Sequence, residues 1–360
     1  MIIGVAILGS ISAFKTQHLV LTSPLKSFLA GNTNPGLPSA ISTDAASTYK
    51  YGHANSLCRR SSMRPLAASI SLNPSMDRLS HPVEPGMFAL YIKQKAFNIW
   101  GLIYTLSCLV NAIAVLPFMI LISWGIDLFC SEKTKKTRKL LDWTVHIWAK
   151  AVMLTTGANP RLYGVENLPP SNEAVIYVPN HTSFMDILTL SGFVPRPFKY
   201  LSKEEIVKIP VIGYAMKLAQ HVFLKRNDLK NTLEVKDTVV QKLKDGNQMV
   251  LFGEGTRSKD GVLKTFKKGA FQMAKDADVR IVPVSIGNLH RWMPPSALMP
   301  LGAIRDVYIK IHPAIETKDA KVSDLRAMTW DAVNSGLPIY QQGIPSKRRQ
   351  KNENQEISKE

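Results

Sequence analysis

His181 and Asp186, five residues apart in Asn180-His181-Thr182-Ser183-Phe184-Met185-Asp186, are the residues whose types and spacing could do chemistry. A neutral imidazole can accept a proton on one nitrogen while a carboxylate holds the other as N–H. That fixes the tautomer and makes a general base for a hydroxyl nucleophile. Such a base contributes about 10²–10⁴ in rate. On one continuous helix, positions five apart lie about 140° from each other. The two side chains therefore meet only if His181 precedes a helix and Asp186 lies in its first turn. The apolar run Ala174-Val175-Ile176-Tyr177-Val178 reads as a buried strand, and Ile187-Leu188-Thr189-Leu190 reads as helix with Ser183 as its N-cap. Ser183-x-x-Asp186 is also a capping box, which would explain Asp186 without any chemistry.

A second stretch decides between these readings. Phe252-Gly253-Glu254-Gly255-Thr256-Arg257-Ser258 follows the apolar Met249-Val250-Leu251. Taken with Asn-His-x4-Asp, it resembles the glycerolipid acyltransferase family, which acylates glycerol phosphate and lysophosphatidic acid. Val222-Phe223-Leu224-Lys225-Arg226 is similar to the family's second block and Ile281-Val282-Pro283-Val284-Ser285 to its fourth. Leu201-Ser202-Lys203-Glu204-Glu205 and Ile209-Pro210-Val211-Ile212-Gly213 further resemble the lysophosphatidic acid branch. The likeness covers about residues 145–315.

The resemblance implies transfer of an acyl group from acyl-CoA or acyl carrier protein to the sn-2 hydroxyl of 1-acyl-sn-glycerol-3-phosphate. His181 would be the base and Asp186 its orienting partner. A phosphate acceptor needs fixed positive charge, which Arg257, Arg226 and Lys203 would supply. Glu254, Gly255 and Thr256 would position, with Glu254 facing an arginine or the glycerol hydroxyls. Pro283, interrupting a strand, suggests an edge or a bulge, and in the family its block is associated with the wall of the acyl chain. Rival acceptors are glycerol-3-phosphate and other lysophospholipids. A catalytically silent lipid-binding protein would have no reason to carry both His181 and Asp186.

Other chemistries lack their signatures. There is no Gly-x-Ser-x-Gly elbow, His-Glu-x-x-His or Walker loop, and Gly253-x-Gly255-x-x-Ser258 lacks the third glycine of a dinucleotide fingerprint. No cofactor and no metal is expected. Cys58, Cys108 and Cys130 have no metal or redox spacing, and His221 and His290 read as ordinary packed histidines. The net charge of +18 calls for an anionic partner. Without a nucleic-acid-binding motif, and with the basic residues flanking apolar stretches, membrane lipid fits better than nucleic acid.

Along the chain, residues 1–14 have the length of a signal-peptide core, though without a charged start. Residues 15–84 are Ser-rich, with Lys15, Lys26, Lys50, Arg59, Arg60, Arg64 and Arg78 against only Asp44 and Asp77 before Glu84. The pair resembles the bipartite plastid presequence of diatoms and related algae, implying a plastid envelope address, with the endoplasmic reticulum as alternative. Residues 85–145 form a membrane segment. Ala96 to Ile126 carries no charge, and as one helix would run roughly 46 Å against a bilayer core of about 30 Å. Pro117 could kink or split it, giving a tilted spanning helix or a re-entrant hairpin. The resemblance implies a helical pair dipping into one leaflet. Lys133, Lys135, Lys136, Arg138 and Lys139 follow and suit an anionic surface.

Residues 146–340 form the α/β domain and 341–360 a charged, disordered tail. Strands are expected at 174–178, near 221–225, 248–252, 280–286 and 305–311. Helices are expected at 183–193, 229–244, 266–275 and from Ser323. This alternation predicts an α/β fold, a mixed, mostly parallel sheet flanked by helices and preceded by N-terminal membrane-associated helices.

Overall fold

The computed structural model describes residues 90–344 apart from 93–94, 210, 226–228 and 298. The signal-like segment, the leader, Arg226 and most of the tail lie outside the described residues. In chain order the strands are β1 (Leu90–Ile92), β2 (Lys95–Phe97), β3 (Arg161–Tyr163), β4 (Val175–Pro179), β5 (Phe198–Lys203), β6 (Val222–Leu224), β7 (Gln248–Val250), β8 (Arg280–Gly287) and β9 (Tyr308–Ile311). The helices are α1 (Ile99–Phe129), α2 (Glu132–Thr137), α3 (Lys139–Thr155), α4 (Asp186–Phe193), α5 (Ile212–Leu218), α6 (Leu229–Lys244), α7 (Gly269–Ala277), α8 (Leu289–Trp292) and α9 (Val322–Ser335).

Seven strands form one sheet in the order β3-β9-β8-β4-β7-β5-β6, parallel throughout except where β9 runs against β8. Every residue of β4 is buried, as its unbroken apolar run requires of a central strand. One apolar layer joins α1, α3 and α4 to the sheet around Tyr104, Val152, Met153, Leu190 and Val282. A second, around Val239, Phe271, Ile281 and Val333, seats α6, α7 and α9 on the other face.

Helix α1 is a single helix of 31 residues with Pro117 inside it, so the proline does not split it. Tyr104, Cys108, Ala112, Met119 and Ile126 lie on one buried face. Ser107 Oγ bonds Thr155 Oγ1 of α3. The opposite face exposes Leu102, Leu106, Leu109, Ile113, Leu121, Trp124 and Leu128, an apolar stripe along the whole helix. The low amphipathicity of the sequence follows: both faces are apolar, one against protein and one outward.

Three expectations need correction. First, α4 begins at Asp186, not Ser183. Ser183 Oγ donates to Met293 O at 2.7 Å, so that hydroxyl ties the loop to another segment as well as accepting from Met185 N. Second, Gln341 is fully buried, its carbonyl accepting from Leu263 N and its Oε1 from Asn288 N. The domain thus continues past 340. Third, Pro283 lies within β8, between β4 and β9, and not on an edge. The bulge is there: register changes by one residue between the Ile281↔Ile315 bridge and the Val284↔Ile311 pair, opposite the missing proline N–H.

Strand β5 was not expected, because Phe-Lys-Tyr-Leu-Ser-Lys interrupts its apolar run with a lysine. Lys199 is nevertheless fully buried, donating to Asp142 Oδ2 of α3 at 2.9 Å and to Ala219 O at 2.8 Å. Burial raises the Asp142 carboxyl against the pull of the Lys199 ammonium. His221 alongside accepts the Tyr200 N–H at 2.9 Å, and burial lowers its imidazole to about 3. It is a packed histidine, as read.

Removing one member of a buried ion pair strands the other charge. Asp142→Asn should therefore lose about 3–5 kcal/mol in denaturant melts. Asp142→Leu combined with Lys199→Met should recover most of that loss. Equal stability of Asp142→Asn and wild type would exclude the pair as a structural tie.

Candidate active site

The site is built where β4 ends. Asn180, fully buried, extends the ladder with its side chain: Nδ2 donates to Ile286 O at 3.1 Å and Oδ1 accepts from Ile286 N at 2.8 Å. This clamps the chain to β8 just as it leaves the sheet. His181 follows. Its N–H donates to Glu254 Oε1 at 2.8 Å, and its carbonyl accepts from Ser258 N at 2.7 Å. Its Nδ1 lies 2.8 Å from Asp186 Oδ2. That same oxygen accepts the Thr182 and Ser183 N–H groups at 2.8 and 2.9 Å, the second of these being one half of the expected capping box.

Asp186 is fully buried, whereas the His181 side chain keeps 15% of its surface exposed. A carboxylate oxygen receiving two backbone N–H groups is an acceptor, so Nδ1 is assigned as the donor, and in the neutral imidazole the lone pair is then on Nε2. The ring stacks on Phe252 with centroids 3.8 Å apart and planes at 20°. Nothing in residue spacing pointed to Phe252 as a partner of His181; its place beside the Glu-Gly-Thr-Arg stretch was the available signal.

Among the described residues Glu254 faces no arginine, and it is turned away from solvent. It is buried, and its second oxygen accepts from Lys264 N at 3.0 Å, so it joins the His181 loop to the 253–268 loop. Burial pushes its carboxyl up to about 7, opposed by the two backbone hydrogen bonds. Gly253 has no room for a side chain, since a Cβ would meet the Phe266 ring at 2.6 Å. Gly255 has φ +68°, and its N–H closes a turn on Phe252 O at 3.0 Å.

Thr256 and Arg257 are exposed on the crest of this loop. Among the described residues the Arg257 guanidinium has no hydrogen bond or ion pair. Lys203 is exposed at the carboxyl end of β5, two strands and so roughly 10 Å across the sheet from β4. Arg226 lies outside the described residues. Pro283 is buried within β8. His290 is buried, its Nε2 3.1 Å from Lys259 O. The structure thus brings His181, Asp186 and Glu254 into direct contact and carries Gly255, Thr256 and Arg257 on a loop bonded to His181.

The acyltransferase family model matches residues 159–287. A 1-acyl-sn-glycerol-3-phosphate acyltransferase of Chlamydomonas reinhardtii is 33% identical over 276 residues, 76% of each chain. The chain belongs to the acyltransferase family. A chloroplastic 1-acyl-sn-glycerol-3-phosphate acyltransferase of Arabidopsis thaliana is 36% identical over 187 residues; the chain spans about half of that relative's length, 51%. The solved structure of the 1-acyl-sn-glycerophosphate acyltransferase from Thermotoga maritima superposes with a TM-score of 0.55 at 27% identity, covering 66% of this chain and 95% of that one.

In this acyltransferase, Glu254 offers a pH test. Its folded carboxyl, at about 7, sits above the ordinary 4.5, so folding takes up a proton between those values. The stability it contributes is present at low pH and lost as pH rises through about 7. Glu254→Gln should flatten that part of the pH profile in melts from pH 5 to 8. It should also cost about 1–3 kcal/mol, because one amide N–H then faces a backbone donor. Parallel profiles for variant and wild type would refute the assignment.

Proposed function

We propose that this chain transfers a fatty acyl group from a thioester donor to the sn-2 hydroxyl of 1-acyl-sn-glycerol-3-phosphate, giving phosphatidic acid. The observation that carries the reading is the 2.8 Å contact from His181 Nδ1 to Asp186 Oδ2, with Nε2 unengaged among the described residues and Arg257 on the adjoining loop. The relatives' names supply the substrate.

In this scheme His181 Nε2 takes the hydroxyl proton as the oxygen attacks the thioester carbonyl. The C–S bond then breaks, and the imidazolium returns the proton to the leaving thiolate. Asp186 stabilises the imidazolium and holds the ring. A phosphomonoester carries close to two negative charges, which Arg257, Lys203 and Arg226 would meet. Donors of both kinds, acyl-CoA and acyl carrier protein, present the same thioester, and turnover with each separates them.

The exposed stripe of α1 supports attachment to a membrane by a helix lying along one leaflet, since the opposite face is packed on the domain. The chloroplastic relative and the basic leader support a plastid envelope address over the endoplasmic reticulum. A fluorescent fusion of residues 1–85 should then enter the plastid; retention in the endoplasmic reticulum would reverse the address.

The acceptor is tested by kinetics. Arg257→Ala should raise KM for 1-acyl-sn-glycerol-3-phosphate by about 30- to 150-fold, the loss of one charge-assisted contact of ~2–3 kcal/mol, with KM for the thioester little changed. Glycerol-3-phosphate should be a poor acceptor, lacking the chain whose burial is worth about 0.8 kcal/mol per CH₂. Comparable turnover of the two acceptors would sink the sn-2 assignment, and near-normal turnover by His181→Ala would sink the base.

A further inference from the structure

A lysine-lined cleft lies on the edge of the sheet opposite His181. Helix α6 ends at Lys244, ahead of β7's amino end, whereas the His181 loop leaves β4 at its carboxyl end, and the two strands are parallel. The cleft, of about 260 Å³, is lined by Lys133 and Lys136 of α2 and by Lys244 and Asp245. Most cations around it are committed: Lys135 to Glu132, Arg138 to Asp127 and Ser123, Lys242 to Gln220, and Lys139 to Ser171 O. The amines of Lys133, Lys136 and Lys244 have no hydrogen-bond or ion-pair partner among the described residues. Asp245 Oδ1 accepts from Gln241 Nε2 at 3.1 Å.

We propose that this cleft holds the headgroup of a phosphomonoester lipid in the leaflet on which α1 lies. Three ammonium groups less one carboxylate leave about two positive charges, matching a phosphomonoester at neutral pH and exceeding the single charge of a phosphodiester lipid. Position agrees with charge. Leu128 and Phe129, 73% and 86% exposed, end the apolar stripe of α1, and α2 begins three residues later. The cleft, lined in part by α2, therefore adjoins the end of that stripe, beside the leaflet surface. Its volume suits a headgroup and not a whole lipid, given roughly 30 Å³ per water. The proposal rests on the membrane attachment given above and is independent of the catalytic reading: it makes the product class of the reaction a ligand of a second site.

The test is partitioning of the full chain onto three kinds of vesicle: phosphatidylcholine alone, the same with 10 mol% phosphatidic acid, and the same with 20 mol% phosphatidylglycerol at matched charge. A charge-assisted contact from a lysine to the phosphate is worth about tenfold or more, against about fivefold for a lysine merely near an anionic surface. Lys136→Gln combined with Lys244→Gln should therefore weaken binding to phosphatidic acid vesicles about 100-fold and to phosphatidylglycerol vesicles clearly less. Binding to phosphatidylcholine alone should be unchanged, and the wild-type preference for phosphatidic acid over phosphatidylglycerol should disappear. Undiminished binding to phosphatidic acid, or an equal loss on both anionic vesicles, would overturn the headgroup site. A loss on phosphatidylcholine as well would overturn it by locating the effect in α1. Turnover of detergent-dispersed acceptor is measured separately, so failure of the catalytic reading leaves these binding outcomes intact.

Discussion

Everything in the site depends on how completely His181 is held. Its N–H, its carbonyl and its Nδ1 are each bonded, to Glu254, Ser258 and Asp186, and its ring is backed by Phe252. Two of these partners are buried carboxylates. A buried carboxylate is costly unless hydrogen-bonded, and here Asp186 Oδ2 and both Glu254 oxygens accept from backbone N–H groups of the loops that must be ordered, while Asp186 Oδ1 has no partner among the described residues. The cost of burying the charge and the entropy of fixing the loops are thus offset by the same bonds. The imidazole can serve as a base because, among the described residues, only its Nε2 is left unengaged.

Sheet topology explains why these loops meet. Parallel strands put their carboxyl ends on one edge, and ligands of open α/β sheets gather there. β4 and β7 are neighbours, so the chain leaving β4 at Asn180 and the chain leaving β7 at Leu251 emerge side by side. Two motifs some seventy residues apart are brought within one hydrogen bond, His181 N to Glu254 Oε1. Asn180 completes the arrangement by imitating a strand residue after the strand has ended.

Much of this was legible in the sequence, for identifiable reasons. The apolar run of β4, the alternation of strands and helices, and the requirement that His181 precede a helix whose first turn holds Asp186 all rest on periodicity, and all were found. Interactions that depend on tertiary neighbours were not legible. Glu254 looked like a partner for arginine because a carboxylate among cations suggests one; its actual donors are main-chain groups that carry no sequence signature. Strand β5 was hidden by Lys199, whose burial makes sense only once Asp142 is seen beside it. Pro283 correctly signalled a bulge but wrongly an edge, since a proline in mid-strand marks a break in pairing without saying which strand lies beyond. Ser183 could cap a helix or tie a loop to Met293, and residue type does not distinguish the two.

The apolar stripe along α1 has a further consequence for how such an enzyme would be supplied. On the proposed reading, α1 lying flat in a leaflet would confine its domain to a surface, and an acceptor with one acyl chain would be confined to the same surface. Encounter between them is then a two-dimensional process, governed by molecules per unit area and by lateral diffusion. Inert lipid added at constant bulk substrate would thin the acceptor out and slow the reaction, although no concentration in the tube had changed.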